Sequence, residues 1–454
     1  MSRVIWAALI LLAGAASGAD APPPDERIAS YQEFRHAFDA AEYTLALPQA
    51  QRVVELTRSQ FGNEAPQLAN PLTNLGTTYY RLRNFGKALD SYREALTLLD
   101  LQGNATNDKL VRPLHGMGAA LRALQRDGEA IAPFRRAIEI LRNREGLYTP
   151  AQLPLLKELI ACYQSTGQFA DGGREQQYAF NVAETAYGKS DLKLLGPLDD
   201  YARWHEVLGQ YSAARLLHAR AVAIADDKLG SRNLLAIPAL RGIARTYRLA
   251  FLNGESEESA QAAVTLQDQL TPAGVARLAG APSIEGERSL RIALDRLTAS
   301  ATPQPQLRGA VLIDLGDWYM TAGSAARGIA TYRDAWQALG PDEAPKVLGA
   351  PSIILYRPPA MAVARKQLDP ETHEDEEVQL RLSVQADGDV REAIVANPAP
   401  EREAAEKAVI SAVKRAQWRP GFRDGQPIAM TDVEFRERVY IRKQKEKDKG
   451  KEKS

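Results

Sequence analysis

Histidines are the residues of this chain with the most direct potential for chemistry. His205 and His218 lie close in sequence, at positions that a helical hairpin can bring face to face. Two imidazoles can share a metal ion or move a proton. No third ligand stands near them, so we expect both rings to be packing residues with hydrogen-bonded nitrogens. The remaining histidines are scattered, at His36, His115 and His373.

Catalytic motifs are absent from the full sequence. It contains no G-x-S-x-G, no H-E-x-x-H, no Walker loop and no G-x-G-x-x-G. The acidic run His373-Glu374-Asp375-Glu376-Glu377 can hold a cation only weakly, and a solvated linker is the expectation there. The single cysteine, Cys162, permits no intramolecular disulfide and is predicted to be a buried, inert thiol. We therefore expect no enzyme activity, no metal and no cofactor.

The elements that position these residues repeat along the chain. In the second repeat, apolar residues at helical spacing predict helices over Pro71–Arg83 and Lys87–Leu99, separated by Asn84-Phe85-Gly86. An unbroken repeat of helical hairpins is typical of a solenoid, because each hairpin buries its apolar face against the next. The repeats have a period of 42 residues and begin at Arg27, Ala69, Val111, Leu153, Leu195 and Ile237.

Small and aromatic residues alternate within each hairpin, as close helix packing requires. The segments Leu75-Gly76-Thr77-Thr78-Tyr79 and Ala88-Leu89-Asp90-Ser91-Tyr92-Arg93-Glu94-Ala95 resemble the tetratricopeptide repeat family, in its 42-residue, kinesin-light-chain-like variant. The resemblance implies a mostly α fold, an α-solenoid of helical hairpins over residues 20–340. The register slips after Leu252, so we expect an irregular stretch around residues 253–305. A further repeat returns at Leu315-Gly316 and Tyr319.

The same resemblance implies a peptide-binding groove, because the first helix of each tetratricopeptide unit lines the concave surface. Carried onto this chain, that face is mostly basic, and we predict that it takes an acidic segment or a free C-terminal carboxylate. Tyr80 is the expected aromatic anchor. The alternative is a solvated helix face whose arginines pair with acids such as Glu206. The predicted groove residues are Asn70, Tyr80, Arg81, Arg112, His115, Arg122, Lys157 and Arg203.

The C-terminal part of the chain has a different pattern. Alternation predicts strands over 378–384, 390–396 and 430–441, with an amphipathic helix over 401–416. This small α+β (ββαβ) order, with Asp387-Gly388-Asp389-Val390, Trp418-Arg419-Pro420 and Gly425-Gln426-Pro427-Ile428, resembles the C-terminal domain of TonB over residues 378–441. The resemblance implies protein binding by strand addition. Residues 341–377 are predicted to be a linker, and residues 442–454 a charged disordered tail.

The N-terminus is typical of a secretory signal peptide over residues 1–19. Arg3 precedes an apolar run over 4–16, and Ser17-Gly18-Ala19 is a suitable cleavage site. The run is too short for a spanning helix, although an uncleaved anchor remains the alternative. The chain carries 57 basic and 57 acidic residues, so its balance does not favour a nucleic-acid binder. Location in the periplasm of a Gram-negative bacterium is the expectation.

These patterns together predict an interaction scaffold rather than a catalyst. The groove would bind partner peptides, and the TonB-like module would bind envelope proteins, including an outer-membrane transporter. The alternative is a TonB-type energy transducer for outer-membrane transport, whose N-terminal anchor stays uncleaved.

Overall fold

A computed structural model describes residues 26–104, 106–254, 282–359 and 373–442, together with 263, 266 and 362. The chain divides into two compact units, unit 1 over Met1–Gly172 and unit 2 over Gly173–Ser454. The predicted signal peptide over residues 1–19 and the tail after Arg442 lie outside the described residues. No helix among the described residues has both the length and the apolar character needed to cross a bilayer.

Unit 1 is built of antiparallel helical hairpins. Their turns follow from the sequence: the side chain of Asn84 caps the second helix of one hairpin by accepting from the Lys87 N–H at 3.4 Å. Gly62 ends another helix with φ of 90°, a conformation that favours glycine. The helices are α1 (Glu26–Asp39), α2 (Tyr43–Phe61), α3 (Ala69–Arg81), α4 (Phe85–Asp100), α5 (Val111–Ala123), α6 (Asp127–Glu145) and α7 (Leu153–Ser165), followed by α8 (Phe169–Tyr187), in which the division between the units falls.

Ion pairs join the second helices of neighbouring hairpins at a fixed sequence spacing. In unit 1, Arg58 on α2 pairs with Glu94 on α4 at 2.6 Å, and Arg136 on α6 pairs with Asp100 on α4 at 2.5 Å. Each pair spans 36 residues. These are half-exposed pairs, worth less than about 1 kcal/mol each, so they fix the register of neighbouring hairpins more than they stabilise them.

Unit 2 continues with helices and ends in antiparallel strands. Its helices are α9 (Leu195–Val207), α10 (Tyr211–Leu229), α11 (Ile237–Asn253), α12 (Pro282–Thr298), α13 (Pro305–Thr321), α14 (Ala325–Leu348) and α15 (Glu403–Arg415). Its strands are β1 (Ser352–Leu355), β2 (His373–Val384), β3 (Val390–Val395), β4 (Gln417–Arg419), β5 (Gly421–Arg423), β6 (Gln426–Ile428) and β7 (Met430–Arg442). The predicted class, a mostly α solenoid followed by a small α+β region, is confirmed.

The hairpin that begins with α11 is closed by α12, within the stretch predicted to be irregular. Ile237, Ile243 and Tyr247 of α11 share one buried core with Leu290 and Leu297 of α12. The inter-hairpin ion pair is also repeated here, because Arg296 on α12 contacts Asp226 on α10 at 2.7 Å. In the part of this stretch that the structure describes, α12 is the helix that packs on α11.

The C-terminal strands form a three-stranded antiparallel sheet in the order β3-β2-β7, and two smaller pairs, β1-β4 and β5-β6. The strand β2 begins at His373, earlier than the predicted start at Val378. The reason is that β7 is long enough to pair as far back as His373 opposite Arg442, although the acidic residues there carry no apolar alternation. The acidic run is thus part of a ladder, rather than the solvated linker that the sequence predicts.

The predicted linker also contains β1, which pairs with β4 and brings Ile353 opposite Trp418. Within unit 2, Phe422 of β5 is buried in one cluster with Tyr332 of α14 and Ile313 of α13. The C-terminal strands therefore pack directly on the last two helices before them. Within the predicted linker, residues 341–359 are described and are structured. The strand β1 is paired there, and α13 and α14 share a core with β5.

Candidate functional site

The first helices of successive hairpins in unit 1, α3, α5 and α7, line one pocket of about 570 Å³. Five of the eight predicted groove residues lie in it, namely Tyr80, Arg81, Arg112, His115 and Arg122. The other lining residues are Thr73, Thr77, Tyr92, Gly116, Ala119, Ala123 and Glu158.

The floor of the pocket is made by Tyr92, which reaches it from α4. A Cβ atom built on Gly116 would overlap the Tyr92 ring, so the ring tip enters the pocket only because this residue is glycine. The Tyr92 hydroxyl donates to Thr77 Oγ1 at 3.1 Å. Burial raises the pKa of Tyr92, so the phenol stays neutral and can present a hydroxyl to a ligand.

Arg81 and Arg112 form the cationic wall of the pocket. The guanidinium of Arg81 lies over the ring of Tyr43, 5.9 Å from its centroid. Arg112 donates to the side-chain oxygen of Asn74 at 3.2 Å. In the part of the chain that the structure describes, the contacts of these two arginines are with neutral groups, the ring of Tyr43 and the side chain of Asn74. Both therefore retain charge and donors for an anionic group, which an arginine fork binds through two hydrogen bonds.

Arg122 differs from these two arginines because its charge is already compensated. It pairs with Glu158 and, at 3.2 Å, with Asp127. Its role as a ligand donor was predicted from its position in the repeat. That position does not reveal that Glu158, on the first helix of the following hairpin, lies within reach. His115 lies beside this pair, and desolvation lowers its pKa while Glu158 raises it. The imidazole is therefore neutral at neutral pH and is a hydrogen-bonding group there.

Three predicted groove residues lie outside the pocket. Asn70 is exposed on α3, and Lys157 on α7 does not line the cavity. Arg203 belongs to unit 2, where it pairs with Asp199 at 2.8 Å, one turn away on the same helix. The structure thus brings five predicted residues together, and their binding role stays a prediction.

The corresponding first-helix surface of unit 2 is neutralised by acids. Arg241 pairs with Asp314 at 2.5 Å, and Arg248 lies 3.0 Å from Asp317, both acids being on α13. Arg245 pairs with Glu206 of α9 at 2.8 Å. The predicted basic surface is therefore compensated in unit 2, as the alternative with paired acids expects, whereas Arg81 and Arg112 keep it cationic in unit 1.

His205 and His218 are both buried and each is bonded to a neighbour. The fully buried His218 lies with Nε2 3.2 Å from Glu206, and a Cβ on Gly242 would overlap its ring. His205 Nδ1 lies 2.6 Å from the Gln210 side-chain oxygen, and burial lowers its pKa. No group of three or more metal-ligating side chains occurs among the described residues. Both histidines pack, and neither belongs to the pocket.

Sequence reasoning missed Tyr92 and Gly116 as the pocket floor. The signal was present, because a glycine at the sixth position of a repeat follows a polar ring at the 24th position of the previous one. This combination occurs as Tyr92 with Gly116 and as His218 with Gly242. Only the tip of the Tyr92 ring reaches the pocket between the first helices, whereas His218 stays fully buried.

Comparison with known proteins gives the following matches. Residues 35–101 match the tetratricopeptide repeat model. No curated protein is a significant match to the sequence. One similar solved structure is a putative kinesin light chain from Podosopora anserina with nearly identical tetratricopeptide-like repeats. It is 18% identical, with a TM-score of 0.38, and the match covers 46% of this chain and 100% of that one.

Two further solved structures are similar over more of the chain. The apo form of RapI is 13% identical with a TM-score of 0.39, and covers 69% of this chain and 97% of its own. The signal transduction ATPase with a tetratricopeptide repeat sensor from Pyrococcus horikoshii is 14% identical with a TM-score of 0.47, and covers 68% of this chain and 42% of its own. From its repeated hairpins and the family match, the helical part of this chain is a tetratricopeptide-like solenoid.

Proposed function

We propose that this protein is a non-enzymatic interaction scaffold of the bacterial envelope, whose unit 1 pocket binds a carboxylate of a partner peptide. Tetratricopeptide repeats point to protein–protein interaction. The observation that carries the carboxylate is the pair Arg81 and Arg112, which face the pocket without a described counter-ion. An arginine pair of this kind favours a carboxylate over a neutral group.

The pocket walls suit the last residues of an extended peptide. Tyr80 offers an aromatic surface, and its ring packs on Phe85 at 5.4 Å between centroids, which holds it in place. The hydroxyl oxygens of Thr77 and Tyr92 are acceptors for a peptide N–H at the floor, because the Tyr92 proton goes to Thr77 and the Thr77 proton goes to the Thr73 carbonyl. We propose that the carboxylate meets Arg81 and Arg112 while the adjoining side chain packs on Tyr80.

The TonB-like module supplies the second contact in this proposal. The sheet order β3-β2-β7 leaves β3 as an edge strand among the described strands, and its Ile394 is 54% exposed. An edge of this kind accepts an added strand, with an exposed apolar side chain as an anchor. We propose that a strand of an envelope protein, for example an outer-membrane transporter, adds to β3. Two weak sites on one chain raise the affinity for a partner that presents both.

The envelope location rests on the N-terminal pattern of residues 1–19. Cleavage after Ala19 would release the protein into the periplasm. N-terminal sequencing of the protein purified from its own cells tests this step. An Asp20 N-terminus supports the periplasmic scaffold, whereas an intact Met1 on a membrane-bound protein would favour the energy transducer.

A C-terminal peptide library tests the carboxylate pocket directly. Peptides that bind the purified full-length chain are resynthesised with a free or an amidated C-terminus, and their dissociation constants are measured by fluorescence polarisation. A lost charge-assisted hydrogen bond is worth about 1.5–3 kcal/mol, so we expect Arg81→Glu and Arg112→Glu each to weaken binding by at least tenfold.

Arg135→Glu is the matched control, because Arg135 is an exposed arginine on α6 that does not line the pocket. Amidation that weakens binding identifies a terminal carboxylate, and amidation without effect identifies acidic side chains. Equal affinities for the control and the two pocket variants would exclude the pocket as the binding site.

A further inference from the structure

The outer edge of β7 is unpaired among the described strands and carries a self-complementary charge pattern. Its other edge pairs with β2 along almost its whole length. On its exposed face, β7 presents two acids and then two arginines at alternate positions, namely Asp432, Glu434, Arg436 and Arg438. From this order we infer that two copies of the chain associate through antiparallel pairing of their β7 strands, which joins two sheets into one.

The charge order selects one register for this pairing. When Phe435 of each copy faces Phe435 of the other, Glu434 lies opposite Arg436 and Asp432 lies opposite Arg438 in both directions. Residues directly opposite in an antiparallel pair interact, and opposite charges there are stabilising. A shift to the neighbouring allowed registers places Glu434 opposite Glu434, or Arg436 opposite Arg436. The central charges thus favour this alignment of the two strands over its neighbours.

The central pair, Glu434 and Arg436, is exposed to solvent and can therefore contact a second copy. Within one copy, Arg436 lies 3.3 Å from Glu434, and their side chains are 59% and 74% exposed. A pair so exposed is weak and exchanges readily for a partner across a strand interface. Asp432 sits at a bulge with φ of 57°, which breaks the regular ladder there. The contact is therefore centred on Glu434, Phe435 and Arg436.

A long unpaired strand edge normally favours uncontrolled association, and proteins place charges on it to prevent this. Charges of a single sign along the edge would repel a second copy in every register. With the order acid, acid, base, base, every charged pair is of opposite sign in one register only. This distinguishes a specific antiparallel dimer from open-ended aggregation, since the pairing uses up the β7 edge of both copies.

A charge-swap experiment tests the dimer. Sedimentation velocity of the full-length chain over a concentration series measures the dissociation constant. We expect Glu434→Arg and Arg436→Glu, each alone, to weaken self-association by about tenfold or more, because like charges then face each other. An equimolar mixture of the two variants should regain association as a heterodimer, because every central pair is again opposite in sign.

Arg391→Glu on β3 is the matched control, an exposed arginine on the other edge of the same sheet. Circular dichroism and the thermal midpoint establish that each variant is folded. A wild-type chain that stays monomeric at every concentration would overturn the inference, and so would a dimer that both single variants leave intact. Failure of the mixture to associate better than either variant would overturn the proposed register. None of these outcomes depends on the unit 1 pocket.

Discussion

Arg419 of β4 and Asp317 of α13 form a two-pronged ion pair between elements 102 residues apart, with both nitrogen–oxygen distances at 3.1 Å. Asp317 is almost fully buried, and it also accepts from the Tyr332 hydroxyl at 2.7 Å and lies 3.0 Å from Arg248. One carboxylate thus compensates two guanidinium groups from different parts of unit 2. This contact holds the C-terminal strands against the last helices.

Asp317→Asn should destabilise unit 2 strongly. Removing this charge leaves Arg419 and Arg248 buried without compensation, which typically costs about 3–5 kcal/mol. Asp314→Asn is the matched control, because Asp314 pairs with Arg241 at a more exposed position and should lose about 1 kcal/mol. Urea unfolding followed by tryptophan fluorescence measures both. Similar losses of unfolding free energy for the two variants would show that the buried Asp317 carboxylate does not hold the strands.

The inter-hairpin ion pairs should differ in strength with their burial. Asp226→Ala leaves the guanidinium of Arg296, which is only 6% exposed, without its carboxylate, and we expect a loss of about 3 kcal/mol or more. Asp100→Ala removes the same kind of pair from Arg136, which is 35% exposed, and should cost less than about 1 kcal/mol. Chemical denaturation of the two variants makes the comparison, and equal costs would contradict it.

Gly116→Ala should destabilise unit 1, because the added methyl group overlaps the Tyr92 ring on the pocket floor. Overpacking of this kind costs about 1–3 kcal/mol. Gly86→Ala is the opposite case: nothing lies within 4 Å of its Cβ position, and alanine favours the helix by about 0.5–1 kcal/mol. Thermal unfolding should move in opposite directions for the two variants. A stabilised Gly116→Ala protein would show that the pocket floor can shift.

Alkaline pH should unfold the protein partly through Tyr201. Burial raises the pKa of Tyr201 to about 12, from the ordinary value near 10. The phenol therefore loses its proton more easily when unfolded, so its contribution is complete below about pH 10 and is lost as the pH rises towards 12. We expect Tyr201→Phe to lose about 2 kcal/mol less stability than the wild type over that interval. Urea titrations at pH 9 and pH 12 measure it, and parallel curves for the two proteins would contradict it.

Cys162 should resist alkylation while the protein is folded. Burial is the main cause that raises its pKa to about 12, so the reactive thiolate is scarce at pH 8. We expect iodoacetamide to label it at least about a hundredfold more slowly in buffer than in urea. The free amino acid reacted under both conditions controls for the effect of urea. Rapid labelling in buffer would mean that unit 1 opens locally around α7.

The repeat period predicted the hairpins closely, because helix packing depends on local spacing. The structure has α3 over Ala69–Arg81 and α4 over Phe85–Asp100, against predicted spans that start two residues later. The partners of the arginines were not predictable in the same way. Arg241 meets Asp314 across 73 residues, and no period relates the two.

The repeat pattern also did not predict which helix packs on α11 to close the sixth hairpin. Its second helix, α12, follows α11 only after residues 254–281, so the register of the repeat is lost although the packing of α11 against α12 is kept. Likewise, β2 begins in an acidic run because its long partner β7 reaches it. Both features depend on which distant segment supplies the other side of the contact, and sequence spacing does not contain that information.

The delayed arrival of α12 and β4 has a consequence for synthesis on the ribosome. In unit 1, ion-pair partners stand 36 residues apart, so each hairpin can close as soon as the next one emerges. In unit 2, the apolar side of α11 is buried only after α12 has been synthesised. The ion pair of Asp317 with Arg419 forms only when nearly the whole chain has been made. The first unit is therefore suited to fold during translation, whereas the contacts of α11 with α12 and of Asp317 with Arg419 form only once later segments have been made.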